Sequence, residues 1–289
     1  MNITIHNKTI TLRDCYCSKD GLPPSMIDVP YVNLYVQMMG CNAKCKFCNQ
    51  TPAYKFNLDA FTKVLQILSK SVSVRKISFT GGEPCRDLTL LHKAYQIALD
   101  ALPQVFRVIS TNGTNLSSVL ASTIGDTVNS IALSRHHFDD AKNRELMSFD
   151  APSADVIRSV AHNNKIHLSC NLVKGYIDSW EQVHNYLEWV NQMGMDDVGF
   201  VLLMPYNEFC KENRVDLLDL SPINGMFCNM QWNRDNVCAC KNYLYVPKDY
   251  QDRVIKVYCR TVKKPCAADN LLVFDGENLR HGFGGEIII

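Results

Sequence analysis

Between residues 32 and 204 the chain alternates short runs of β-branched and aromatic residues with stretches of helical period, and few folds accommodate that rhythm. The runs are Val32–Gln37, Lys76–Thr80, Val105–Ser110, Val128–Ser134, Ile166–Leu172 and Val198–Met204, and each is predicted to be a strand. Between them, Leu58, Phe61, Leu65 and Leu68 share one helical face after a cap at Asn57. Leu88, Leu91, Tyr95, Ala98 and Leu102 repeat the pattern, as do Trp180, Val183, Leu187 and Val190. Ser179 and Gln182 have the spacing of a capping box, and Gly194 supplies a helix stop. Strands alternating with helices imply βαβ units and a parallel sheet. Six units over residues 31–205 predict an α/β fold, a partial (β/α)6 TIM barrel. In such folds the chemistry gathers at the carboxyl ends of the strands.

The flanks read differently. Residues 1–30 form a lead-in with a hairpin candidate at Ile3–Thr11, too short for a leader-peptide-binding domain. After Pro205 the rhythm changes. Residues 206–289 carry short strand candidates (Tyr243–Val246, Val254–Cys259, Leu271–Phe274) and are expected to form a small, separate, cysteine-rich β-hairpin appendage. The length of 289 residues suits a barrel plus such an appendage, and 46% hydrophobic residues suffice for a sizeable core. A net charge of +1 leaves no basic footprint for nucleic acid. No apolar run is long enough to cross a membrane, and the N-terminus lacks the signal-peptide pattern. The expectation is a cytoplasmic protein with neither nucleic-acid nor membrane partners. There, thirteen cysteines point to metal or redox chemistry rather than disulfides.

Three of those cysteines, Cys41, Cys45 and Cys48, are spaced C-x3-C-x2-C directly after the first strand. Thiolates are soft ligands that select iron–sulfur clusters, zinc or copper. Three of them leave one iron of a [4Fe-4S] cube open for a ligand; a zinc knuckle is the competing reading. The second strand ends in Gly81-Gly82-Glu83-Pro84, where glycines let backbone approach a ligand closely and Glu83 offers a carboxylate to an amine.

Together these motifs resemble the radical S-adenosylmethionine (SAM) superfamily, in which an aromatic residue, here Phe47, precedes the third cysteine. The resemblance implies a [4Fe-4S] cluster on Cys41, Cys45 and Cys48, with SAM contacted by Phe47, Gly81, Gly82 and Glu83. It extends the SAM contacts to Ser110 and Asn112 after the third strand, Ser134 and Arg135 after the fourth, and Asn171 after the fifth. Arginine suits bidentate recognition of a carboxylate. His136, His137 and Lys174 are candidates for substrate contact, with solvated surface roles as the alternative. The fifth and sixth strand ends, Asn171–Gly175 and Leu203–Pro205, resemble those of the GTP 3′,8-cyclase type.

The C-terminal cysteines resemble auxiliary-cluster appendages of the Twitch or SPASM kind. Cys238, Cys240, Cys259 and Cys266 are the expected ligands of a second iron–sulfur cluster, with Cys228 in reserve and zinc or buried thiols as rivals. Cys15, Cys17, Cys85, Cys170 and Cys210 are expected in core packing.

The function implied is reductive cleavage of SAM to a 5′-deoxyadenosyl radical that abstracts hydrogen from a small-molecule substrate, a nucleotide-like one among the candidates. A low-potential donor, a flavodoxin or ferredoxin, is needed. A peptide-modifying maturase and a non-catalytic iron–sulfur or zinc protein remain as alternatives.

Overall fold

The computed structural model describes residues 2–12, 31–48, 53–217, 226–229, 241–247, 253–260 and 270–289. In chain order, β1 (Asn2–Ile5) and β2 (Lys8–Thr11) form the expected hairpin, closed by His6 and Asn7 at φ 45° and 68°. Two positive φ values in a two-residue loop match the twist of the strands they join. There follow β3 (Tyr31–Gln37), α1 (Leu58–Ser71), β4 (Ser73–Thr80), α2 (Leu88–Ala101), β5 (Phe106–Thr111), α3 (Leu116–Leu120), α4 (Thr123–Thr127) and β6 (Ser130–Ser134). Next come α5 (Asp140–Met147), α6 (Ala154–Val160), β7 (Ile166–Leu172), α7 (Trp180–Gln192), β8 (Asp197–Leu202) and α8 (Glu208–Glu212). The C-terminal stretch adds β9 (Met226–Asn229), β10 (Lys241–Val246), β11 (Ile255–Arg260), β12 (Leu271–Phe274) and β13 (Leu279–His281).

All six predicted core strands are present, and β7 has the predicted bounds. Asn57 caps α1 by accepting from the Ala60 amide (3.0 Å). At α7, Ser179 Oγ accepts from the Gln182 amide (3.2 Å), but the reciprocal half of the capping box is missing. Gln182 Oε1 is buried without a hydrogen-bond partner among the described residues. The stop at Gly194 (φ 80°) is a Schellman turn. Gly194 N donates to Asn191 O (3.0 Å) and Met195 N to Val190 O (3.1 Å).

The chain divides into two compact units. The first comprises residues 1–42, 50–131 and 266–289. Its main sheet has the order β13-β12-β3-β4-β5, with β12, β3, β4 and β5 parallel. Helices pack on it through aromatic pairs: Phe61 of α1 against Phe274 of β12 (5.1 Å), Tyr95 of α2 against Phe79 of β4 (5.5 Å). The second comprises residues 43–49 and 132–265. Its strand order is β7-β8-β11-β10-β9, with β7, β8 and β11 parallel, and Tyr186 of α7 packs on Phe200 of β8 (5.5 Å). The result is the expected α/β class, parallel strands alternating with helices.

The expected boundary after Pro205 is not where the contacts divide the chain. The β12–β13 hairpin exists, but β12 pairs in parallel with β3 (Leu271↔Asn33 to Phe274↔Val36) inside the first unit. β11 likewise extends the second unit by pairing in parallel with β8. The parallel pairing therefore recruits two strands from the stretch read as an appendage.

Within each unit the strands show two unlike faces. On β3, Val32, Leu34 and Val36 are fully buried while Asn33, Tyr35 and Gln37 are half-buried. On β7, Ile166, Leu168, Cys170 and Leu172 are buried while His167, Ser169 and Asn171 are half-buried. One face is core; the other carries polar groups on every side chain named.

Candidate active site

In the first unit the site is built around the turn that follows β4. Gly81 and Gly82 have φ 60° and 64°, a region open chiefly to glycine. A Cβ on Gly82 would lie 2.3 Å from Gly40 O and 2.6 Å from Met38 O. The second glycine is therefore required where the turn lies against the backbone leading into Cys41. Glu83 N donates to Gly40 O (2.7 Å), and Met38 N donates to Thr80 O (2.8 Å), fastening the two segments.

Glu83 itself is 2% exposed. Its Oε1 accepts from the Thr111 hydroxyl (2.6 Å) and the Cys85 amide (2.9 Å), and its Oε2 from the Asn112 amide (2.7 Å). Burial raises the carboxyl above its ordinary range although these bonds, led by that of Asn112, pull it down. The carboxylate expected to face an amine is engaged inside the protein.

Asn112 continues the chain of bonds. Its Nδ2 donates to Asn42 Oδ1 (2.9 Å), and its Oδ1 accepts from the Thr114 amide (3.0 Å) and hydroxyl (2.7 Å). Asn42 Nδ2 donates back to Thr114 Oγ1 (2.8 Å). The residue directly after Cys41 is thus tied to the end of β5, a role the sequence reading gave neither Asn42 nor Thr114. Ser110, half-buried, keeps a polar side chain without a hydrogen-bond partner among the described residues.

In the second unit, residues 43–48 add apolar packing to their hydrogen bonds. Phe47 packs on a buried cluster of Leu146, Val173, Leu203 and Cys210, together with Tyr176 and Phe209. Its ring meets His136 edge-on at 4.6 Å. Lys44 N and Lys46 N donate to Met147 O and Leu146 O (both 3.1 Å) at the end of α5. From α8, Cys210 Sγ donates to Phe47 O (3.4 Å), and Asn207 Nδ2 to Lys46 O (3.3 Å). Asn207 also caps α8, accepting from the Cys210 amide (2.8 Å). Neither Asn207 nor Cys210 was expected at the site, although Asn207-x-x-Cys210 is legible as a helix start. Lys46 pairs with Glu145 (3.1 Å), whose carboxylate also accepts from Tyr176 OH (2.8 Å).

Arg135 does not present the planar fork expected of it. It is 1% exposed, and its guanidinium donates to the carbonyls of His137 (2.8 Å), Phe138 (3.0 Å) and Pro152 (3.1 Å) and pairs with Asp140. It lies 5.2 Å over the ring of Trp189. Its donors organise the loop after β6, so the carboxylate-binding role is not supported by its placement.

His136 and His137 are buried rather than on the surface. His136 Nδ1 accepts from the Asn171 amide (3.0 Å), and burial, with Arg135 nearby, depresses the imidazole to about 3. His137 Nδ1 accepts from the Asp139 amide (2.8 Å), and burial, with Lys142 beside it, depresses this one to about 4. Both are neutral at pH 7, each with its proton on Nε2. Ser134 and the Asn171 side chain stand half-buried at their strand ends without partners among the described residues, and Lys174 is exposed.

The residues present fit the group the sequence implies. Cys41 and Cys48 are exposed, Cys45 is half-buried, and none is in a disulfide. Three accessible thiols are the donor set of a cluster with one open iron. Cys259 differs: it is buried on the apolar face of β11 with Ile255 and Val257, opposite Phe200, which is the setting of a packed thiol. Cys238, Cys240 and Cys266 lie outside the described residues; Cys228 falls in β9. Cys85, Cys170 and Cys210 are buried, as expected of packing thiols.

Comparison with known proteins identifies the family. The profile of the radical SAM superfamily matches residues 35–217, and the chain belongs to that superfamily. It is an enzyme of the radical SAM class, which sets the non-catalytic reading aside. Similar solved structures include Streptococcus suis SuiB bound to the precursor peptide SuiA, at 18% identity and a TM-score of 0.49. That match covers 63% of this chain and 42% of SuiB, so the chain spans less than half of SuiB's length. The anSMEcpe structure with bound AdoMet matches at 15% identity and TM-score 0.47, covering 61% of this chain and 52% of that one. A radical SAM methyltransferase from Sphaerobacter thermophilus matches at 15% and 0.47, covering 64% and 58%. No curated protein matches the chain. No helix among the described residues is long and apolar enough to cross a membrane.

Proposed function

We propose that Cys41, Cys45 and Cys48 hold a [4Fe-4S] cluster and that the enzyme acts with SAM on a small-molecule substrate in the cytoplasm. When bound, the cluster supplies the electron that cleaves SAM to methionine and a 5′-deoxyadenosyl radical. The observation that carries the reading is the seating of these cysteines: Asn42 is tied by hydrogen bonds after Cys41, and Phe47 is half-buried against an apolar cluster before Cys48. The thiols themselves remain accessible.

The chain's own residues do the holding. Gly81 and Gly82 allow close backbone approach, and Ser110, Ser134 and Asn171 keep unspent polar groups at strand ends for SAM or substrate. Lys174, exposed, is suited to an anionic group of the substrate. A low-potential flavodoxin or ferredoxin is the electron donor in this reading. A second cluster rests on the cysteines of the C-terminal stretch alone.

The test is anaerobic reconstitution followed by assay of 5′-deoxyadenosine and methionine with a chemical reductant. Wild type should form both, and Cys41→Ala, Cys45→Ala and Cys48→Ala none; a cysteine variant of undiminished yield would overturn the assignment. Iron left in the Cys41/Cys45/Cys48→Ala triple variant would support a second cluster, and an iron-free variant would remove it. Product formed only when a precursor peptide is added would replace the small-molecule reading by peptide modification.

A further inference from the structure

The internal engagement of Glu83 points to a role other than holding the SAM amine. Both of its oxygens already have donors, three in all at 2.6–2.9 Å, before any ligand is present. Asn112 is the junction: its amide donates to Glu83, its Nδ2 donates to Asn42 Oδ1, Asn42 Nδ2 donates to Thr114 Oγ1, and the Thr114 hydroxyl closes the ring on Asn112 Oδ1. Asn42 is exposed and directly follows Cys41, so this series joins a buried carboxylate to the side chain of the residue next to the first cluster thiol. The Glu83 amide adds a second tie, to Gly40 O on the other side of Cys41 (2.7 Å). One residue therefore fixes the segments on both sides of that cysteine, through its carboxylate and through its backbone.

We propose that Glu83 is a positioning residue that sets the Cys41 arm of the cluster loop through Asn112 and Asn42, independently of SAM. The proposal takes Cys41 as a cluster ligand from the proposed function, but the tie itself belongs to the metal-free chain. Glu83→Gln is the informative change. Oε1 is kept for Thr111 and Cys85, while an amide nitrogen faces the Asn112 N–H, donor against donor. A direct amine ligand and a positioning residue then diverge: the first loses SAM affinity alone, the second alters the loop when SAM is absent.

Two measurements decide. In the metal-free protein, amide hydrogen exchange should speed up about tenfold in Glu83→Gln at residues 111–114 and also at 41–43, the size expected for losing one hydrogen bond to a charged group. Exchange that rises only at 111–114 overturns the proposal. In the reconstituted protein without SAM, iron release to a chelator should be several-fold faster in Glu83→Gln and in Asn42→Ala, with an altered electron paramagnetic resonance signal of the reduced cluster. Asn42 is exposed, so its substitution leaves the core intact; wild-type iron release and an unchanged signal in Asn42→Ala would overturn the proposal. If wild type itself assembles no cluster, the proposed function fails while the exchange measurement still decides the tie.

Discussion

The two halves of the cysteine loop differ in what is added to their hydrogen bonds. On the Cys41 side every contact is a directed bond between polar groups: Glu83, Asn112, Asn42, Thr114 and the backbone of Gly40. On the side of Cys45 and Cys48 the backbone of Lys44, Lys46 and Phe47 is hydrogen-bonded too, but a ring is also seated in an apolar nest, while the Lys46 and Glu145 side chains stay in solvent. Directed bonds specify distance and angle and fail when one partner changes. Apolar seating is non-directional and scales with the area buried. The contrast separates a stretch fixed by a network of polar side chains from one in which backbone bonds are joined by apolar seating.

The largest effect should come from Gly82→Ala, which combines a positive φ with backbone oxygens at 2.3 and 2.6 Å from the new Cβ. We expect a loss of at least about 3 kcal/mol, read as a lower urea midpoint. Gly81→Ala sharpens the point, because its nearest obstacle is the flexible Gln37 side chain at 3.0 Å. It should cost roughly 1–2 kcal/mol. Equal losses in the two variants would mean that the backbone contact is not what makes this side specific.

On the apolar side, Phe47→Ala should cost roughly 2 kcal/mol, less than a fully buried phenylalanine, and Phe47→Leu well under half of that. A Leu variant as unstable as the Ala variant would show that the seat depends on ring geometry after all.

The buried histidines give a pH signature of the same region. Their imidazoles are depressed to about 3 and about 4, below the ordinary value. Stability from each is complete above about pH 6.5 and is lost as pH falls toward the depressed values, because only the unfolded chain takes up the proton. The slope is about 1.4 kcal/mol per pH unit for each histidine. Glu83, raised by burial, acts in the opposite sense and relieves a cost as pH falls. His136→Gln should flatten the acid limb of stability against pH, and an unchanged limb would show that His136 takes up its proton in the folded state. The smallest effect belongs to Lys46→Ala: both partners of that ion pair are exposed, so the urea midpoint should not move measurably. A clear shift would put part of the seat's strength in charge.

Much of the scaffold was legible because its signals are local. The Asn57 cap, the stop at Gly194 and the bounds of β7 follow from spacing and residue type within a few positions. The parallel pairing of β12 with β3 was not, since it joins strands more than two hundred residues apart and leaves no local mark. The site divides in the same way. The cysteine and glycine spacings announce a family, but a motif gives a side chain without its partners. Arg135 reads as a cation at a strand end, yet carbonyls from residues 137, 138 and 152 consume its donors. Glu83 reads as a free carboxylate, yet β5 surrounds it.

The late entry of β12 has a consequence for how the chain is made. A ribosome releases residues 31–131 long before 271–274, so β3 emerges with its outer edge bare while more than half of the protein is still being synthesised. An uncovered strand edge is a template for pairing with other chains. Expression should therefore favour conditions that slow association of nascent chains, and stalled or truncated products lacking the last twenty residues should be the species that aggregate.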